Sequence, residues 1–217
     1  MSRQHGETTT MKTLYIFLTR SGTLLSNLVY RLTGAQYTHI SLAFDEDLST
    51  LYSSTRKNGY TMFPAGPSRE YLNRGVFLMR ENIPCALYAL EVTDEAYIRA
   101  KRRTQHMMHH GELYRFNVLG LILCGLHIRW QRRRHYFCSQ FVGEVLEKSG
   151  ALELPKHSTL MHPNDYTTLQ DLHCVYEGRL SGLPQRQNMD FGGDETVVSV
   201  YLGLALGLVK AGVRQIF

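Results

Sequence analysis

The sequence predicts one domain that mixes β-strands with helices. Three observations carry this. Thr13–Thr19 is short, β-branched and aromatic, and within Tyr37–Phe44 the residues Ile40, Leu42 and Phe44 alternate with His39, Ser41 and Ala43, as in a half-buried strand. Thr93 to about His109, and Cys138 to Ser149, read as helices with caps at their ends. The chain has 217 residues, 43% hydrophobic and 20% charged, which suits one domain with a substantial core and an extension.

Composition narrows the function classes. Net charge is +5, much of it in Arg99–Arg103 and Arg129–His135. Trp130 is the one Phe, Tyr or Trp in either run, too little aromatic interleaving for base stacking, so both read as solvated surface and nucleic acid is not an expected partner. The cysteines are Cys85, Cys124, Cys138 and Cys174, with no C-x-x-C pair, which argues against a zinc site or a disulfide framework. Met1–Thr10 is polar, and the apolar run Leu14–Leu18 is too short for a signal-peptide core. A cytoplasmic location, where a free thiol survives, is the expectation.

Taken in order, residues 1–11 read as a disordered lead-in. After the Thr13–Thr19 strand, Ser21, Gly22 and Thr23 offer caps to a helix with Leu24, Leu25, Leu28, Val29 and Leu32 as its stripe, closed by Gly34. Asp45–Asp47 is a turn and Thr50–Thr55 the returning strand. With the turn centred between Glu46 and Asp47, Leu51 lies opposite Leu42 and Ser54 opposite His39; a one-residue slip puts Ser53 there instead. Lys57–Arg74 reads as a loop punctuated by Gly59, Pro64, Gly66 and Pro67, and Val76–Arg80 and Ala86–Val92 as strands. The helix after Thr93 carries Asp94 and Glu95 in its first turn and histidines at its end, as the helix dipole favours. His106, His109 and His110 have helical spacing but no carboxylate or cysteine at matching spacing, so they read as helix-end histidines; no metal and no cofactor are expected. The apolar segment that follows Tyr114 and ends at Ile128 reads as a buried helix. Leu160–Tyr166 looks like a loop entering a short helix, and Cys174–Leu180 like the last strand. Ser181–Asp194 is polar and linker-like. Val197–Val213 reads as a helix whose Ser199, Gly203, Gly207 and Ala211 form a close-packing face. Its first reading is docking onto the domain or a second subunit, as in a homodimer; its second is membrane attachment.

The richest stretch is His135–Gly150. Cys138 falls at the first turn of an amphipathic helix with Phe141, Val142, Val145 and Leu146 on one face, Glu144, Glu147 and Lys148 on the other, and Gly150 as the stop. A thiol at a helix N-terminus meets the positive end of the dipole and free backbone N–H groups, which favour the thiolate and suit an acyl-transfer oxyanion. Such chemistry needs a base, and His39, in a strand with polar groups on the next strand, is the candidate.

Thr38–Asp45, Leu51–Ser53, Phe63–Gly66, the Tyr114-x-Phe-Asn117-x-Leu-Gly120 pattern and Tyr136–Val142 together resemble the permuted papain-like cysteine hydrolases. This is the NlpC-type group with circularly permuted order, which includes YiiX-like bacterial proteins and lecithin:retinol acyltransferase relatives. The resemblance spans roughly residues 12–180. It implies an α+β fold, an antiparallel sheet packed against helices, with the His strand before the Cys helix. It also implies Cys138 as nucleophile and His39 as base. The third residue departs from better-known members, which carry a Glu, a His or another polar group on the strand after the His; here that strand offers Ser53 and Ser54. Ser53 matches the pattern and is the expected third catalytic residue. The reactions implied run from amide cleavage to acyl transfer between lipids, all through a thioester on Cys138, so the expected substrate is a small amide, a peptide or a lipid-like molecule. Two rivals stand beside this reading. One is a non-catalytic papain-like binding module, suited by the missing acidic residue. The other is a membrane-associated lipid acyltransferase anchored by 197–213 with help from Arg132–Arg134.

Overall fold

The structure is a computed structural model that describes residues 10–22, 26–27, 30–31, 34–57, 64–187 and 189. Strands β1 (Met11–Thr19), β2 (His39–Ala43), β3 (Leu51–Arg56), β4 (Ala65–Glu70), β5 (Pro84–Thr93) and β8 (His173–Arg179) form one six-stranded antiparallel sheet, ordered β4-β3-β2-β1-β5-β8. Two-residue strands β6 (Arg115–Phe116) and β7 (His135–Tyr136) pair in parallel and pack beside β4. The helices are α1 (Gly75–Met79), α2 (Asp94–His109), α3 (Val118–Gly125), α4 (Cys138–Ser149) and α5 (Pro184–Gln187). The chain is thus a mixed α+β protein, with no helix among the described residues long and apolar enough to cross a membrane.

Alternation along the central strands sorts the core to two sides of the sheet. Leu14, Ile16 and Leu18 of β1 and Ile40 and Leu42 of β2 share one cluster with Phe141, Val142, Val145 and Leu146 of α4 and Ala100 and Met107 of α2. Phe17, Ala43, Leu51, Cys85 and Leu87 belong to a second cluster, covered by Phe77 of α1, Leu180 and Leu183. The two long helices begin and end on the signals their sequences carry. The Thr93 side chain accepts from the Ala96 backbone N–H at the start of α2, and Gly150 closes α4 at φ 71°, a left-handed conformation that glycine adopts without a Cβ clash. α4 packs so closely that a Cβ on Gly143 would stand 2.8 Å from Tyr166 Oη and 2.9 Å from Leu154 Cδ1.

Several sequence expectations change. Within the stretch read as a loop, Ala65–Glu70 is β4, the edge strand of the sheet. An edge tolerates Pro67, whose missing N–H would break a central ladder. Val76–Arg80 is helical through Met79 rather than extended. The β2–β3 register sets Leu42 opposite Tyr52, one residue away from the register with Leu51. Glu144, placed on the solvent face by helical spacing, is buried, where it accepts from Tyr136 Oη at 3.0 Å and pairs with Arg103 of α2. The segment ending at Ile128 is a short helix with one exposed side, not a buried one. Beyond Leu180 the chain does not turn at once into a linker: Leu183 and Arg186 are buried, and Arg186 donates to the Leu72 and Phe77 carbonyls at 3.4 Å. Ser26, Asn27, Tyr30 and Arg31 are helical as expected. The stripe residues Leu24, Leu25, Leu28, Val29 and Leu32, the lead-in 1–9 and the segment 197–213 lie outside the described residues.

The apolar seam between α4 and the sheet carries the fold. Phe141→Ala is expected to lower the unfolding free energy by about 3 to 5 kcal/mol, because it leaves a cavity in a fully buried position. A urea titration followed by far-UV circular dichroism measures it.

Candidate active site

Cys138 is the first residue of α4. Its position is held from both sides: Ser54 Oγ of β3 donates to the Tyr136 carbonyl at 2.6 Å, and Tyr166 Oη donates to the Ser139 carbonyl at 2.9 Å. Ser139 Oγ in turn donates to the Met161 carbonyl at 2.6 Å. The N-cap position is Phe137, whose side chain offers no acceptor, so no side chain caps the first turn. The backbone N–H groups there keep their polarity available to a ligand.

His39 opens β2, which packs against the Cys138 helix, and its ring lies close enough to Cys138 for the thiol to help raise its pKa. On Nε2 it meets Glu70 Oε2 at 2.8 Å. Glu70 is the last residue of β4. The same carboxylate oxygen accepts from Ser41 Oγ at 2.7 Å, and that hydroxyl lies 3.3 Å from His39 Nε2. Ser41 sits two residues along from His39, so the strand period puts both side chains on one side of β2. The structure therefore joins Cys138, His39 and Glu70 in one chain of contacts, with Ser41 bracing the carboxylate.

Ser53 does not take part. It is fully buried, and its hydroxyl donates to the Ile40 carbonyl at 2.7 Å. Ser54 is committed to Tyr136. The side chain that meets the His39 ring is Glu70, one strand further out, and not Ser53. The sequence carried a signal for it only in hindsight: an acid at the end of a Gly- and Pro-containing segment that reads as a loop. β4 is identified as a strand by its ladder with β3, in which Leu51 lies opposite Glu70.

Electrostatics follows from this arrangement. Burial alone would lower the His39 pKa. The charge and hydrogen bond of Glu70, together with the nearby Cys138 thiol, outweigh it, so the imidazolium persists well above its ordinary range. Burial likewise pushes Glu70 up, but the charge and hydrogen bond of His39, the Ser41 hydroxyl and nearby Arg56 hold it below its ordinary value. A second thiol–imidazole contact shows the contrast. Cys124 Sγ lies 3.6 Å from His162 Nε2, but burial pushes that thiol up to about 12 and pushes His162 down. The carboxylate near His162 belongs to Asp165, which pairs with Lys156 and accepts from the His162 backbone N–H rather than from its ring. That pair rests neutral. A cleft of about 550 Å³ between Arg132–Arg134 and Tyr136, Glu144 and Lys148 does not include Cys138, His39 or Glu70.

No family model, curated protein or solved structure matches the chain.

Glu70→Gln tests the ion pair. The raised His39 pKa contributes stability that is complete below about 6.5, the unfolded value, and is lost as pH rises through the folded one. The depressed Glu70 pKa contributes stability that is complete above about 4.3 and is lost as pH falls through the folded value. The variant should therefore be less stable than the parent by about 1.5 to 3 kcal/mol between those two limits, with the deficit shrinking toward alkaline and strongly acid pH. Urea midpoints measured across pH give the profile; a deficit constant with pH would mean the loss is packing alone.

Proposed function

We propose that this chain is a cysteine hydrolase or acyltransferase of the permuted papain-like kind, acting on amide or ester bonds through a thioester on Cys138. The observation that carries the reading is the His39–Glu70 pair, at 2.8 Å, beside the Cys138 thiol at the start of α4. With Nε2 occupied by the carboxylate, Nδ1 is the nitrogen left for the thiol. The proton lost by the thiol resides on His39, which the Glu70 pair keeps as an imidazolium, and the sulfur attacks the carbonyl carbon of the substrate. The oxyanion that forms is stabilised by backbone N–H groups of the uncapped first turn of α4. His39 then protonates the leaving amine or alcohol, which departs and leaves the acyl group on sulfur. Water, or an acceptor hydroxyl or amine, gives a proton to His39 and attacks the thioester, which regenerates the thiol. Glu70 holds the ring's orientation and balances the imidazolium.

The binding-module rival drew its support from a missing acidic residue. Glu70 removes that support. A small amide, a peptide or a lipid-like ester remains the substrate class of this reading.

Two measurements test it. Brief treatment with iodoacetamide, read by peptide mass spectrometry, should label Cys138 ahead of Cys85 and Cys124, whose thiols burial pushes up to about 12. His39→Ala should slow that labelling by about 100-fold, while Ser53→Ala leaves it unchanged. With an activated ester, the parent should show a burst of product and gain one acyl group on the Cys138 peptide, and Cys138→Ala should show neither. Labelling of Cys138 no faster than Cys124, with no burst, would remove the catalytic reading.

A further inference from the structure

Helix α3 has two unlike sides. Gly120, Leu121 and Cys124 are buried, and Leu121 and Cys124 form a small core with Phe137, the residue before Cys138. The opposite side is apolar as well, yet it faces outward. Val118, Leu119, Ile122 and Leu126 recur at helical spacing and are exposed, and Ile128 follows. Leu119 is 53% exposed, Leu126 60% and Ile128 49%. Among the described residues ten large apolar side chains are exposed, and these five fall within eleven consecutive positions. Apolar side chains exposed singly mean nothing, but a contiguous stripe on one short helix marks a contact surface.

The charge beside the stripe says what would cover it. From Leu113 to Gly143 the sequence has no Asp or Glu, and it has five arginines, Arg115, Arg129, Arg132, Arg133 and Arg134. All five are exposed, and none forms an ion pair with a carboxylate among the described residues. Trp130, the one tryptophan in the chain, is half-buried and in sequence lies between Ile128 of the stripe and Arg132–Arg134. A surface that meets this order of groups is apolar inside, anionic at its boundary and tolerant of an indole at the junction. Those are the layers of an anionic bilayer leaflet. Nucleic acid would satisfy the arginines and leave the leucine and isoleucine side chains uncovered, because aliphatic groups offer no stacking face.

We propose that Val118–Arg134 docks this protein on an anionic membrane surface, with the exposed side of α3 entering the acyl boundary and Arg129–Arg134 engaging lipid phosphates. The segment does not cross the bilayer; it lies on it. Its buried side is tied to the nucleophile helix: the Asn117 side chain donates to Gln140 Oε1 at 3.2 Å, and the Asn117 backbone N–H donates to the Tyr136 carbonyl at 3.1 Å. The inference stands on exposure and charge alone and does not depend on Cys138 being a nucleophile.

The test uses the full-length protein and vesicles of phosphatidylcholine with or without phosphatidylserine. Co-sedimentation is expected with the anionic vesicles, weak with the neutral ones, and reduced by added salt. Arg132→Gln/Arg133→Gln/Arg134→Gln should lower the partition by about 100-fold, at about fivefold per arginine. Leu119→Gln/Ile122→Gln/Leu126→Gln should lower it by at least about 10-fold; these positions are exposed, and circular dichroism checks that the variant is folded. Trp130 gives a readout without mutation. Its fluorescence should shift to the blue with anionic vesicles and be quenched by brominated lipids. Vesicle binding with a silent Trp130 and undiminished by either triple substitution would place the contact elsewhere, in residues such as 197–213, and overturn the proposal. So would absence of binding, or binding to duplex nucleic acid but not to vesicles.

Discussion

The burial of α4 is the constraint on which the rest of the structure depends. Ten of its twelve residues are buried. Phe141, Val142, Val145 and Leu146 are completely enclosed, each stabilising the fold by about 1.5 to 3 kcal/mol before the entropy of ordering is subtracted. A helix so surrounded has little freedom to slide or rotate. Its end is pinned as well, by the Tyr166 and Ser139 hydrogen bonds. On its outward side Glu144 takes two donors, Tyr136 from the strand before it and Arg103 from α2. The position of the Cys138 sulfur is thus a consequence of core packing.

Around that sulfur, chemistry is decided by which ring faces a carboxylate. Among the described residues two cysteine–histidine pairs lie close together, and one of them has a carboxylate on its ring. His39 meets Glu70 on one nitrogen and has the Cys138 thiol nearby, so its charged form is favoured despite burial. His162 has no carboxylate on its ring among its described contacts, and burial leaves both it and Cys124 neutral. Proximity of thiol and imidazole is common to both; what separates them is the third group. Ser53 does not meet the His39 ring; its buried hydroxyl donates to the Ile40 carbonyl, which satisfies it.

The surface next to this centre has a similar dependence on neighbours. One side of α3 supports the turn that presents Cys138, and the other meets solvent. Read as a string, Val118–Ile128 is apolar on every side of a helix, which is the pattern of a buried element. Among the described residues α3 is packed on one side, against the core with Phe137, and its other side is exposed.

Local signals determined the elements whose causes are local. The Thr93 cap, the acidic first turn of α2, the Gly150 stop and the alternation in β2 are short-range effects, and each is where the sequence placed it. Cys138 and His39 were singled out from helix position, strand context and resemblance, and their meeting was an expectation until the tertiary contacts joined them. Glu70, the β2–β3 register and the burial of Glu144 belong to the other class. Each depends on which distant segment lies alongside, and a Gly-Pro stretch becomes an edge strand only when β3 offers it a ladder. Strand pairing and charge burial are relations between segments far apart in sequence, so they were decided by the tertiary structure alone.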